Sequence, residues 1–199
     1  MTTEMLLSRN KICDAGYYCL QGATVPYPID TTLPLAIIGN KCEAGHFCPG
    51  LTAREECAAG TYESRTGSDA CQDCPEGYYC CGSGATTCAG ATAPTECEKG
   101  YCPAKSSVVL ACPAGYYGSA ELKKMGSSTD CVHCPEGKFC TTGIIDGNCD
   151  AGYFCDFGAI ASNDPAKACP LGHFCPAGVA LPIRCDEGFY TLATGSPTV

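Results

Sequence analysis

Apolar and polar positions along this chain do not keep a regular period for more than a few residues. No segment places apolar residues at helical spacing over three turns, and Gly, Pro or Cys interrupts every alternating stretch. The pattern therefore predicts almost no helix and only very short strands. We expect small irregular modules and short β-hairpins in place of one continuous hydrophobic core.

One motif repeats along the chain: Cys, two residues, Gly, one residue, then Tyr or Phe. A turn with positive φ, or a close backbone approach, requires the glycine. We expect the aromatic residue to lie over a disulfide as the module's one large apolar contact. Nine full copies and a shorter one at Cys97 predict an elongated linear array of roughly ten modules, each contacting mainly its neighbours. The full copies open at Cys13, Cys42, Cys57, Cys74, Cys112, Cys134, Cys149, Cys169 and Cys185.

The cysteine content decides the broad class of the protein. The chain has 21 Cys in 199 residues and no Trp, and a cysteine content above roughly 8–10% is typical of a disulfide scaffold. Disulfides persist in oxidising compartments, so we predict an extracellular protein, secreted or at the cell surface. Each disulfide typically contributes about 2–4 kcal/mol, so several per module can replace a hydrophobic interior.

Charge and hydropathy argue against several partners. The net charge is −9 and the sequence pI is about 4.7, which is unfavourable for binding phosphate backbones or anionic membranes. No apolar run approaches the roughly 20 residues that span a bilayer, and the first ten residues show no signal-peptide core. We therefore expect no nucleic acid partner, no membrane insertion in this segment, and a longer parent protein.

The second cysteine of a module stands in one of two places. In the short form it follows the aromatic residue at once, as in Cys42 to Cys48. In the long form it follows a polar loop, as in Cys57 to Cys71. The module that opens at Cys185 stops before its second cysteine. We therefore expect Cys185 to be unpaired because the chain is truncated.

Spacing leaves two pairing registers open. In the first register each motif-opening cysteine pairs with the next cysteine, and a slipped register leaves Cys13 unpaired instead. The slipped register would need disulfides at Cys71–Cys74 and Cys131–Cys134, whose tight loops are more typical of labile redox pairs. We favour the first register, and mixed patterns around Cys80 and Cys81 also stay open. Its pairs are Cys13–Cys19, Cys42–Cys48, Cys57–Cys71, Cys74–Cys80, Cys81–Cys88, Cys97–Cys102, Cys112–Cys131, Cys134–Cys140, Cys149–Cys155 and Cys169–Cys175.

The composite CEAGHFCPGLTAREECAAGTYESRTGSDACQDCPEGYYC resembles the ephrin-receptor-like cysteine-rich repeats, whose consensus is CPxGxYCPxGTxxPxxCPxGTYsxxxGxxxxxxCxxC. The resemblance covers residues 42–199, with a divergent copy at Cys13. It implies elongated arrays with short β-hairpins in large secreted or cell-surface proteins, many of them from protists. It also implies a spacer, adhesive or coat role, including components of extracellular filaments such as flagellar mastigonemes. The chain departs from the family pattern at Cys81, at the shortened Cys97 unit and at an insertion.

These repeats divide the chain into five parts. Residues 1–41 form a divergent first module with an apolar insertion at 20–41, and residues 42–73 are regular repeat modules. Residues 74–111 are irregular modules with an extra Cys pair, residues 112–168 are repeat modules, and residues 169–199 are repeat modules of which the last is truncated.

The insertion is the one long segment between modules that contains no cysteine. Four of its large aliphatic residues stand close together, at Leu33, Leu35, Ile37 and Ile38, and exposed apolar patches usually mark contacts. Our hypothesis is that it contacts a neighbouring subunit as an edge strand, and the alternative is that it folds back on its own module. The expected partners are other copies of the chain or other extracellular matrix or coat proteins. Ser and Thr beside Pro are candidate sites for O-linked glycans.

The remaining chemistry favours neither a metal site nor an enzyme. Cys71-x-x-Cys74 and Cys131-x-x-Cys134 resemble halves of a zinc site, but the repeats already account for these cysteines. The histidines form no recognisable Cys/His or Ser/His/Asp arrangement, and we expect them to be exposed. The scattered aspartates lack EF-hand spacing. We predict no catalytic residue, no metal and no cofactor.

The sequence therefore predicts a non-enzymatic structural or adhesive extracellular segment. It would serve as a spacer or as a subunit of a surface coat or extracellular filament. The alternative is a ligand-binding receptor ectodomain or a variable surface antigen.

Overall fold

The computed structural model describes residues 13–20, 23, 26–27, 39–50, 54–82, 87–119 and 124–198. In these ranges the chain forms seven antiparallel hairpins, and every strand is two residues long. In chain order the hairpins are β1 Tyr17–Tyr18 with β2 Asn40–Lys41, β3 His46–Phe47 with β4 Glu55–Glu56, β5 Thr61–Tyr62 with β6 Gln72–Asp73, β7 Tyr78–Tyr79 with β8 Thr95–Glu96, β9 Tyr116–Tyr117 with β10 Val132–His133, β11 Lys138–Phe139 with β12 Gly147–Asn148, and β13 His173–Phe174 with β14 Ile183–Arg184.

Each hairpin is built from the same two places in the repeat. Its first strand follows the motif glycine, and its second strand lies directly before the next motif-opening cysteine. Single bridges, Tyr101 to Leu110 and Tyr153 to Ala168, take the place of a hairpin in two modules. The Gly turn on one side and the disulfide on the other stop the pairing after two residues. The predicted disulfide-rich fold of short hairpins is thus confirmed.

Helix is almost absent from the described residues. Two 3₁₀ turns occur, at Ser128–Asp130 and Pro165–Lys167, and side-chain oxygens of Ser127 and Asp164 cap them. No helix in these ranges is long and apolar enough to cross a membrane.

The chain divides into two compact units. The first comprises residues 1–96 and 103–108 and contains β1–β8, and the second comprises residues 97–102 and 109–199 and contains β9–β14. The boundary therefore passes through the shortened module, whose disulfide Cys97–Cys102 belongs to the second unit while the following residues belong to the first.

Cystine fills the interior of both units. Among the described residues, sixteen of the eighteen buried apolar residues are cysteines, and the other two are Ala91 and Met125. Ala91 lies in the first unit with the Cys74–Cys80 disulfide, against Tyr62 and Tyr78. Met125 lies in the second unit, in a cluster with Cys112 and Cys131. Disulfides therefore do in each module what a hydrophobic core does in a larger domain.

Candidate functional site: the network of cystines and turns

The structure forms ten disulfides and leaves Cys185 as the free cysteine of the described residues. Nine disulfides join a motif-opening cysteine to the next cysteine, and the tenth, Cys81–Cys88, lies outside the motif. This is the arrangement of the first register, with both CxxC pairs divided between different disulfides. The bonds are Cys13–Cys19, Cys42–Cys48, Cys57–Cys71, Cys74–Cys80, Cys81–Cys88, Cys97–Cys102, Cys112–Cys131, Cys134–Cys140, Cys149–Cys155 and Cys169–Cys175.

The motif glycine is required for two separate reasons. Gly137 has φ +76°, a conformation that side chains with a Cβ avoid. A Cβ added to Gly137 would also lie 2.2 Å from the carbonyl oxygen of Gly178, which belongs to a turn two modules further on. A Cβ added to Gly60 would lie 2.2 Å from the carbonyl oxygen of Lys105, and a Cβ added to Gly152 would lie 2.4 Å from the carbonyl oxygen of Gly195. At these three positions the motif glycine is therefore both a turn and a contact point.

Backbone hydrogen bonds connect each module to the next. In the module of Gly137, the glycine N–H donates to the carbonyl of Cys155 at 2.9 Å, and its own carbonyl accepts from Cys149 N–H at 3.0 Å. Cys140 N–H donates to the carbonyl of Ala159, which follows the second turn of the next module, at 2.9 Å. The first of these bonds recurs from Gly16 to Cys48, Gly60 to Cys80, Gly115 to Cys140 and Gly152 to Cys175. Motif spacing thus fixes the register of successive modules.

The second turn of a module does not always use glycine. Lys105 and Lys124 hold this position with φ +65° and +69°, although an L-residue there costs roughly 1–2 kcal/mol. The shortened module also differs from expectation: Lys99, with φ +59°, forms its turn, and Gly100 does not. The missing residue moves the turn one position toward Cys97, and Gly100 meets the other requirement given for the motif glycine, a close backbone approach, because an added Cβ would lie 2.3 Å from the carbonyl oxygen of Leu110.

The motif aromatics are only partly buried. Eight of the nine in the full copies are half-buried, whereas Tyr190 is 73% exposed. In the core clusters, Tyr62 occupies the motif aromatic position, but Tyr78 and Tyr116 occupy the position before it, for which the motif specifies no residue type. Both positions therefore supply apolar cover for the cystines.

A buried carboxylate stands in one module at the place where short modules have their second cysteine. Glu63 stands six residues after Cys57, where short modules carry their second cysteine, and it is fully buried. Its Oε1 accepts hydrogen bonds from the backbone N–H of Arg65 at 2.9 Å and from Arg65 Nε at 3.1 Å, and its Oε2 lies 3.4 Å from Nη2. Its backbone makes the bonds of the cysteine position, since its carbonyl accepts from Gly45 and its N–H donates to Ala91.

Hydrogen bonding keeps Glu63 ionised. Burial acts to raise the pKa of this carboxyl, but hydrogen bonds from Arg65, Ser68 and Gln72 together outweigh burial and lower the pKa from 4.5 to about 2. Because the folded-state pKa is depressed, Glu63 stabilises the fold above the unfolded-state pKa. That contribution disappears as the pH falls from 4.5 towards 2.

We expect Glu63→Gln to lower the free energy of unfolding at pH 7 by about 2 kcal/mol. This figure is smaller than the pKa shift alone would give, because the Arg65 side chain is 71% exposed and solvent screens the ion pair. Denaturant unfolding between pH 7 and pH 2 measures both stability and its pH dependence. The loss relative to the parent chain should shrink below pH 4.5, where the parent loses the same contribution.

Glu55→Gln serves as the matched control, because Glu55 is an exposed residue of β4 in the neighbouring module. It should change stability little at any pH. Equal effects of the two substitutions, or a Glu63→Gln loss that persists unchanged at pH 2, would contradict the role of the buried carboxylate.

The histidines lie in separate modules. The His46 side chain is 19% exposed, with Nε2 3.9 Å from Glu56 Oε1, so the expectation that it is exposed was wrong. Its ring lies partly covered within the β3–β4 hairpin. His133 is exposed and contacts the ring of Tyr116, with centroids 4.4 Å apart. His173 is half-buried and lies beside the backbone of its own turn.

The scattered aspartates bind donors in their own loops. Asp146 accepts from the backbone N–H and hydroxyl of Thr141, and these bonds lower the pKa of its carboxyl. Asp150 accepts from Ser162 Oγ at 2.9 Å, and Asp164 caps a 3₁₀ turn. Over the described ranges, no three Cys, His, Asp or Glu side chains are grouped to hold a metal ion.

The predicted assembly contact falls on Leu33, Leu35, Ile37 and Ile38, which lie outside the described residues. Two shorter apolar stretches, which the sequence also offers as contact candidates, lie within the described residues, and their side chains are exposed by between 36% and 52%. They are Val108, Val109, Leu110, Ile144 and Ile145.

Comparisons with known proteins add no assignment. No family model matches the chain, and no curated protein matches it. The function must therefore be argued from the residues and the fold.

Proposed function

We propose that this chain is a non-enzymatic structural segment of an extracellular protein, built from ephrin-receptor-like modules. It acts as a spacer or as a subunit of a surface coat or filament. The observation that carries this proposal is the repeated set of backbone bonds between successive modules. Because the same glycine and cysteine positions make these bonds each time, modules can be added by duplication without a new interface.

The interior of the modules supports the same role. Ten disulfides are typical of an extracellular or secreted protein. In the described residues, most of the buried apolar residues are cysteines, so cross-links hold each turn and the fold tolerates a solvated acidic exterior. Such a segment keeps its structure outside the cell, where an adhesive or spacer protein meets proteases.

The partners we propose are other copies of the chain or other matrix and coat proteins. The net charge of −9 favours solubility of the surface and gives no attraction to anionic polymers. Assembly through the aliphatic residues of the insertion would place the contact in one module and leave the repeats as the spacer.

Electron microscopy of the native material tests the proposal. We expect regular filaments or a layered coat in which the subunit repeats at a constant spacing. Isolated particles with a separable soluble protein ligand would contradict it and favour the receptor or antigen alternative.

The contact is tested by replacing Leu35 and Ile37 together with Ser. We expect folding of the monomer to be unchanged and the critical concentration for assembly to rise by about a hundredfold or more, since two aliphatic side chains each lose about 1.5–3 kcal/mol of burial and every 1.4 kcal/mol is tenfold. Sedimentation of assembled material gives this concentration. Leu181→Ser is the control, because Leu181 is 69% exposed and belongs to a regular module. Equal assembly of all three chains would remove the insertion from the contact.

A further inference from the structure

One disulfide differs from all the others in its burial. In nine of the ten disulfides at least one cysteine is buried, but Cys81 and Cys88 are both only partly buried. Thiol–disulfide exchange requires a thiolate to reach a sulfur atom, so accessibility limits its rate. Cys81–Cys88 is thus the disulfide most open to attack.

The backbone at this disulfide is also unusual. Cys88 has φ +51°, and it is the one cysteine in the described ranges with positive φ. An L-residue in this region costs roughly 1–2 kcal/mol, and the disulfide holds the residue there. Opening the bond allows Cys88 to leave this conformation, which favours the opened form over a re-formed disulfide.

The module does not depend on this disulfide for its packing. On the C-terminal side, Gly90 N–H donates to the carbonyl of Cys57 at 2.8 Å, and the buried Ala91 accepts from Glu63 N–H at 3.1 Å. On the N-terminal side, the Cys74–Cys80 disulfide ends one residue before Cys81. Opening of the bond is therefore local.

From this accessibility and backbone geometry, we propose that Cys81–Cys88 is a thiol–disulfide exchange site that forms mixed disulfides with external thiols. A thiolate attacks the sulfur of one of the two cysteines, a new disulfide forms with that sulfur, and the other cysteine leaves as a thiolate. The step needs no oxidant or reductant other than the attacking thiol. It gives the array a covalent attachment point that is independent of the proposed structural role.

The test uses the intact chain with a glutathione series, acid quenching, alkylation and peptide mass spectrometry. We expect Cys81 or Cys88 to carry the first glutathione adduct, about tenfold faster than Cys97 or Cys102, because exchange follows access to sulfur. Cys97–Cys102 is the matched control, since it closes a loop of similar length and both of its cysteines are buried. Adduct formation at Cys97 or Cys102 as early as at Cys81 and Cys88 would overturn the proposal.

A second arm separates small thiols from protein partners. A cysteine-containing peptide replaces glutathione, and adducts with both reagents support an attachment point for other chains. Adducts with glutathione alone support modification by small thiols, and adducts with neither reagent overturn the proposal. The double variant Cys81→Ser/Cys88→Ser should keep the amide spectrum of the parent and lose the fast adduct. Persistence of that fast adduct would also overturn it. Neither result bears on the assembly that electron microscopy tests.

Discussion

Complete reduction of the ten disulfides is expected to unfold the chain at neutral pH without denaturant. The described interior contains only two buried apolar residues besides cysteine, and the hairpins are two residues per strand, so reduction removes nearly all long-lived contacts. Each disulfide typically contributes about 2–4 kcal/mol, whereas a whole domain is stable by only about 5–15 kcal/mol. Amide dispersion in a ¹⁵N–¹H spectrum and resistance to trypsin should both be lost.

The control is the same reduced chain after reoxidation, which should recover dispersion and resistance. A reduced and alkylated chain that kept its dispersed spectrum would show that the turns fold without cross-links. Reoxidation without recovery would locate the difficulty in folding and not in the stability of the oxidised state. Folding of the reduced chain should be very unfavourable because its strands have only two residues, and an isolated hairpin of ordinary length is itself only marginally stable in water.

The sequence was sufficient for the parts of the fold that repeat. The spacing of Cys, Gly and the aromatic residue predicted short hairpins and modules, and the first strand of each full hairpin indeed follows the motif glycine. Cysteine abundance and missing periodicity also predicted that the interior would be cystine and not a continuous apolar core. These inferences succeed because few other structures use Gly and Cys at such a fixed spacing.

Other features depend on contacts that spacing does not encode. In the sequence Glu63 looks like an ordinary polar loop residue. Only its position, six residues after Cys57, indicates that it takes the place of a cysteine. The turn at Lys105 has positive φ but contains no glycine that would have predicted it. Contact between Gly60 and Lys105 joins two residues that are far apart in the chain, and local propensity cannot report on such an approach. Comparing the residues six positions after each motif-opening cysteine would have identified Glu63 as the one acidic residue at a position that short modules give to cysteine.

The Lys turns also show how the array tolerates variation. Positive φ at Lys105 and Lys124 is unfavourable by itself, yet these residues keep their places in the second turn. At this position the backbone N–H and carbonyl make the contacts, as Lys105 N–H does with Cys74 at 2.8 Å. At the corresponding glycines Gly67 and Gly90 an added Cβ would lie 3.6 Å and 3.9 Å from the nearest atom, so a side chain there costs conformational energy but creates no clash. The motif glycines that lie against a backbone carbonyl, such as Gly60 and Gly137, have no such freedom.

Gly137→Ala is expected to destabilise the second unit far more than Gly172→Ala. The two glycines have nearly equal φ, +76° and +74°, so the conformational cost of alanine, roughly 1–2 kcal/mol, is common to both. At Gly172 an added Cβ meets no atom within 4 Å, whereas at Gly137 it meets the carbonyl oxygen of Gly178 at 2.2 Å. Because that neighbour is backbone, the turn itself must move, at a further cost of about 2 kcal/mol or more.

Guanidinium unfolding of both variants with disulfides intact measures this difference directly, because both glycines belong to the second unit. Hydrogen exchange provides a local readout. The Gly178 N–H donates to the carbonyl of Cys149 at 2.9 Å, and this amide should exchange faster in Gly137→Ala only. Equal destabilisation by the two substitutions would mean that positive φ alone selects the motif glycine. A larger effect at Gly137 would mean that its contact with the module two positions further on also requires glycine. Packing between modules, as well as turn geometry, would then explain why glycine recurs at this motif position.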